Sequence, residues 1–247
     1  MKRLVLVLLC AVLAFSAMAC DDSEVYTGDQ PKDAEVTDKK EYERVDTQGF
    51  MSALLDAYDA KAVKADGVSK DDLDIEKCVE VTPDGVFEAT GVQIFKFTDT
   101  LASFMIKDKE VKEACQSFGG MGFSDAIPWD YDQNGVDDLL VAGSWGSGMH
   151  RAALTLWNMD TMEQMDLDSM NIQSSFFSVG DIGFDFIDEN DHSKGIVIYA
   201  LGYTQVKDEE NQTVEFIPYR GTDMAEIRME NGVFVYVPLT DSLMWAF

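Results

Sequence analysis

Positive charge is what this chain has least of. Its 247 residues carry 19 Lys plus Arg against 46 Asp plus Glu, a formal charge of -27, and only two histidines. Such a balance repels phosphate backbones and anionic membrane surfaces, so nucleic acid is excluded as a partner. Four cysteines with no C-x-x-C and no Cys/His cluster at zinc spacing argue against a zinc module or a dithiol redox centre. No G-x-S-x-G elbow and no G-K-[ST] phosphate loop is present. The apolar run from Leu4 to Phe15 is twelve residues, too short for a permanent bilayer span. What remains is ample for folding: 46% hydrophobic and 11% aromatic residues supply a core, and the length suits one ordinary domain with a tail.

The first twenty residues read as an address. Lys2 and Arg3 precede the apolar run, and Ala17-Met18-Ala19 offers small residues at a cleavage position. With Cys20 and the following Asp-Asp-Ser-Glu, this segment resembles a bacterial lipoprotein signal. The resemblance implies a signal peptide over 1–19, lipid on Cys20, and a membrane anchor on the periplasmic or extracellular face of a bacterial cell envelope. In a Gram-negative host, Asp21 after the lipidated cysteine implies retention at the inner membrane. Ala17 departs from the Leu more usual in such signals, and ordinary cleavage after Ala19 is the alternative. From Asp21 to Asp46 there are ten acidic and four basic residues with few large apolar ones. Residues 20–46 therefore read as a solvated tether, and 47–247 as a single β-rich domain.

Cys10 leaves with the signal and Cys20 carries lipid, so Cys78 and Cys115 form the one remaining pair. In an oxidising compartment a bridge between them is the expectation, worth about 4 kcal/mol for a loop of this length in the chain-entropy model.

Past the tether, Phe50, Leu54, Leu55, Tyr58 and Ala62 recur at helical spacing, with Asp46 or Thr47 available as a cap. This predicts one amphipathic helix ending before Gly67. From Lys77 onward short β-type runs alternate with turn signals. "CVEVTPDGVFEA" reads as a hairpin around Pro83-Asp84-Gly85 and "EIRMENGVFVYVP" as another around Asn231-Gly232. About ten such runs predict a mainly β body, an antiparallel sandwich or a curved meander.

The densest chemistry lies in "DYDQNGVDDLLV". Asp130, Asp132, Asn134 and Asp138 fall at positions 1, 3, 5 and 9, with Gly135 at 6 and the Val136 carbonyl at 7. Calcium takes six to eight hard oxygens, and alternate side chains on a tightly turning loop supply them from one side. Val141 stands where an EF-hand needs glutamate, and the flanks are strand-like. The stretch resembles the calcium loops of FG-GAP and VCBS-type β repeats. That likeness implies a calcium ion held by Asp130, Asp132, Asn134, Asp138 and the carbonyl of Val136. A polar turn in which Asp and Asn bond their own backbone without metal is the alternative. "DIGFDFIDENDHSKGIVIYALG" repeats the strand, acidic turn, strand layout about 58 residues later. Aligning Asp188 with position 1 puts His192 and Ser193 where Asn and Gly should be, so it reads as a decayed copy or an unrelated acidic hairpin.

"GSWGSGMHR" places Trp145, His150 and Arg151 around a glycine-rich turn, a candidate binding surface. The leading expectation is an exported, calcium-stabilised, monomeric β domain that binds a protein or small-molecule ligand without catalysis. The alternative is a metal-assisted hydrolase using the acidic loop and His150. Trp129 and Trp157 read as core, like most aromatics in strands. Between Met121 and Asp191 there are fourteen acidic residues and one basic one, Arg151, so the surplus of charge concentrates around the calcium-type loop.

Overall fold

A computed structural model describes residues 41–65, 67–115, 120–146, 151–167, 176–177, 180–208 and 213–240. The segment 1–19 expected to be a signal peptide, Cys20, most of the expected tether and His150 lie outside the described residues. The chain from Glu41 onward forms one unit, mainly β and wholly antiparallel, in three successive meanders. The first sheet comprises β1 (Cys78–Glu80), β2 (Gln93–Phe97), β3 (Ser103–Lys107) and β4 (Glu110–Cys115). The second comprises β5 (Gly122–Trp129), β6 (Asp138–Trp145), β7 (Arg151–Asn158) and β8 (Glu163–Met165), with the short β9 (Phe176–Phe177) also on β7. In the third are β10 (Asp181–Phe186), β11 (Gly195–Asp208), β12 (Thr213–Glu230) and β13 (Val233–Pro238).

These sheets stack as layers, and the strand periodicity shows how. In β6 every residue from Asp138 to Ser144 is buried. Leu139 and Val141 pack with Ile94, Met105 and Trp157 against the first sheet, while Leu140 and Ala142 pack with Ile182, Ile196 and Ile198 against the third. A strand covered on both faces reads as a continuous apolar run, which is why "LLVA" shows no alternation. The outer face of the first sheet is covered by α1 (Thr47–Asp59), whose Phe50 stacks on Phe95 at 4.1 Å. Asp46 caps that helix, its carboxylate accepting the Gly49 N–H at 2.7 Å, and Ala62 falls beyond its end. At the other end of the stack ion pairs tie charged side chains of the third sheet, Arg220 with Asp185 and Asp223, and Arg228 with Glu226 and Glu230. The second and third sheets are also tied by hydrogen bonds. Asp125 accepts the Phe184 N–H at 2.8 Å and the Ala126 N–H at 2.9 Å, and the Ser124 hydroxyl lies 3.1 Å from the carbonyl oxygens of both Ala142 and Ile182.

Two expectations are corrected. The hairpin around Pro83-Asp84-Gly85 is absent: Gly85 at φ +81° starts a short helix, α2 (Val86–Thr90), and β1 pairs with β2 instead. Consecutive Val86 and Phe87 are both buried, a helical rather than an alternating pattern. The Asn231-Gly232 hairpin is as expected, both residues at positive φ between β12 and β13. The Cys78–Cys115 bridge is likewise absent, and both thiols are free and buried. They occupy the opposite edge strands of the first sheet, so three inter-strand spacings, about 14 Å, separate them. A disulfide needs Cα atoms within about 7 Å. Cys78 belongs to the core under α1 and Cys115 to the core against the second sheet.

Burial pushes the Cys78 thiol up to about 11 and the Cys115 thiol up to about 12. Both are therefore expected to resist a thiol reagent at pH 8 in the folded protein and to titrate fully after denaturation; an unreactive pair in denaturant without reductant would contradict this arrangement. Burial likewise raises the Asp125 carboxyl to about 6, against two backbone N–H bonds that lower it. A carboxyl raised on folding contributes stability that is present below its unfolded value near 3.8 and is lost as pH rises through about 6. Denaturant melts from pH 4 to 7 should show a stability slope that is shallower in Asp125→Asn than in the parent.

Candidate metal centre

The loop from Asp130 to Asp137 joins β5 to β6. Gly135 at φ +87° and Gln133 at φ +60° give the reversal, and nothing lies within 4 Å of where a Cβ on Gly135 would stand. In this structure the loop's oxygens face its own backbone. Asp130 accepts the N–H groups of Asn134 at 3.0 Å and Gly135 at 2.9 Å. Asp132 accepts the Asn134 N–H at 3.1 Å and its side-chain amide at 3.0 Å, and the Asn134 oxygen accepts the Val136 N–H at 2.7 Å. This is the self-bonded polar turn. Among the described residues no three His, Cys, Asp or Glu side chains converge closely enough to hold an ion.

Asp138 is different. As the first residue of β6 it is 1% exposed, its carboxyl accepts backbone N–H groups of Tyr131 and Met159, and its Oδ2 is buried with no hydrogen-bond partner. Burial, and then the negative charges of Asp132 and Asp130, raise its carboxyl to about 6. A buried carboxylate oxygen without a partner, near two more carboxylates, is costly unless something positive arrives. The donor set, all hard oxygens on a tight loop, suits calcium, provided Asp130 and Asn134 turn their oxygens from backbone N–H groups toward Asp138. Tyr131 links the loop to the core, its ring 5.5 Å from Trp129 and 6.1 Å from Phe234 of β13.

The second acidic turn, Asp188 to Lys194, joins β10 to β11, the same step of the third meander that the calcium-type loop occupies in the second. Here the cation is covalent. Lys194 Nζ lies 2.6 Å from Asp188 Oδ2 and 3.8 Å from Asp191, and that contact holds the Asp188 carboxyl below its ordinary range. His192 is exposed and stacks on Phe186 at 3.5 Å. The two turns are neighbours, His192 lying close enough to act on Asp137, whose carboxyl is raised first by burial and then by Asp130.

Trp145 and Arg151 face each other across β6 and β7 at the glycine-rich turn, both half-buried, while His150 lies outside the described residues. Trp129 and Trp157 are core. Lys194 went unread in the sequence although it sits at position 7 of the degenerate loop. Asp125, a carboxylate inside an otherwise apolar strand, was the visible signal of the tie between the second and third sheets.

Without calcium, Asp138→Asn is expected to stabilise the chain by about 1 kcal/mol, a rise of about 2–4 °C in Tm, because it removes a buried charge and keeps the side chain's shape. A chelator-treated melt in which Asp138→Asn is less stable than the parent would show that the charge is already compensated. The chain matches no protein-family model, no curated protein and no solved structure.

Proposed function

We propose that this chain is an exported, lipid-anchored β domain of the bacterial cell envelope, stabilised by calcium, that binds a ligand or partner without catalysis. The observation that carries the metal half of this reading is the unpartnered Oδ2 of buried Asp138 beneath Asp130 and Asp132. Asp130, Asp132, Asn134 and Asp138 would hold the ion with their side chains and Val136 with its carbonyl. The ion would supply the positive charge that Lys194 supplies in the neighbouring turn. Its role is structural: it would fix the β5–β6 turn and, through Tyr131 and Phe234, the packing of β13. The anchor half rests on the signal-like segment before Cys20 and the acidic stretch behind it.

Saturating calcium, at about 100 times Kd, is expected to add about 2.7 kcal/mol, or roughly 5–10 °C in Tm, over chelator. Asp132→Ala should lose most of that increment. Superimposable melts of the parent with calcium and with chelator would defeat the metal half.

A further inference from the structure

Asp137 is the acidic residue of the β5–β6 loop for which the calcium-type register has no use. It stands at position 8, between the Val136 carbonyl and Asp138. Side chains alternate across a strand, and Asp138 opens β6 with its own side chain in the interior. The Asp137 carboxylate is therefore directed to the opposite side, away from the place beneath Asp130 and Asp132 where an ion would sit. Its surroundings agree with this. Asp137 is half-buried, accepts the backbone N–H of Asp130, and lies near His192 of the second acidic turn, whose ring is pinned on Phe186 at 3.5 Å. Asp138 in turn accepts the N–H of Tyr131. Two successive carboxylates at the end of the loop thus grip two successive N–H groups at its start. Asp138 belongs to both this clamp and the ion site, whereas Asp137 belongs to the clamp alone.

We propose that Asp137 is the positioning residue of the calcium site: it does not touch the ion, and by holding the Asp130 N–H it fixes the backbone from which the first ligand side chain projects. The loop's oxygens must move for an ion to enter. Asp130 now accepts the Asn134 N–H at 3.0 Å and the Gly135 N–H at 2.9 Å, and the Asn134 oxygen accepts the Val136 N–H at 2.7 Å. With the Asp130 N–H held, turning its carboxylate toward Asp138 is a side-chain rotation about a fixed backbone. With that N–H released, the entropy of ordering the backbone is added to the cost of binding. Partners that orient a ligand residue without touching the metal commonly govern affinity about tenfold or more. This role deepens the metal half of the reading above and rests on it.

The test uses terbium, which replaces calcium among hard oxygens and whose luminescence lifetimes in H2O and D2O count the waters bound to it. Calcium affinity is read by competition against terbium, at about 0.15 M salt, for the parent, Asp137→Asn and Asp137→Ala. Asp137→Asn keeps an oxygen for the Asp130 N–H and loses only a charge outside the coordination sphere, which salt screens, so calcium should bind no more than about threefold more weakly. Asp137→Ala loses the bond itself and should bind at least about tenfold more weakly. The water count should be the same in all three. Parent-like affinity in Asp137→Ala denies the role, equal losses in the two variants make it a matter of charge, and an extra water on terbium in either makes Asp137 a ligand; each result overturns the proposal. The water count needs only Asp137→Asn and so stands independently of the stability of Asp137→Ala. A parent that binds neither ion defeats the metal reading and this role with it, whereas a binding parent with an indifferent Asp137→Ala defeats the positioning role alone.

Discussion

Everything in this fold leans on β6, the strand buried on both faces. Leu139 and Val141 hold the first sheet and Leu140 and Ala142 the third, so one eight-residue strand is the shared wall of two cores. Burial of this kind leaves no room for a solvated end. Asp138, the residue that opens the strand, is carried into the interior with it and retains a carboxylate that water no longer reaches. The cost of that charge is set by the packing of β6 rather than by the loop that precedes it. A cation bound at the loop would thus be coupled to the central strand and not merely to a surface turn.

The two acidic turns are alternative answers to one electrostatic problem. Each joins the first and second strands of its meander, and each gathers carboxylates where the backbone reverses. In the third sheet a lysine from the same turn neutralises Asp188. In the second no basic side chain belongs to the turn, and the carboxylates of Asp130 and Asp132 are met by backbone N–H groups while Asp138 is not fully met. The first sheet avoids the problem, since its first two strands are joined through α2, capped by glycines at both ends.

Local chemistry was legible in the sequence where a residue's neighbours in the chain are also its neighbours in space. The cap at Asp46, the Asn231-Gly232 hairpin and the turning of the Asp130 loop all belong to that class. The β-rich architecture followed from turn spacing. What escaped was set by sheet order. Cys78 and Cys115 look like a pair in a list of cysteines, yet two intervening strands hold them apart. Pro83-Asp84-Gly85 carries a strong turn signal, but which element follows depends on whether Val86 and Phe87 can both be buried, and that is decided by the sheets around them. That β8 and β9 pair with separate stretches of one strand, β7, is a register property with no local signature.

Almost every strand pairs with the strand next to it in the chain, and the sheets follow one another in sequence order. Contacts therefore close short loops, which lowers the entropic cost of each pairing and favours rapid assembly for an all-β protein. A chain that emerges N-terminus first from a narrow pore can complete its first sheet before the third has appeared. The ends of the stack differ in kind, a helix at one and ion pairs at the other, so growth has a built-in start and a built-in stop. A strand that opens in the finished molecule finds its partner one turn away, so re-pairing closes only a short loop.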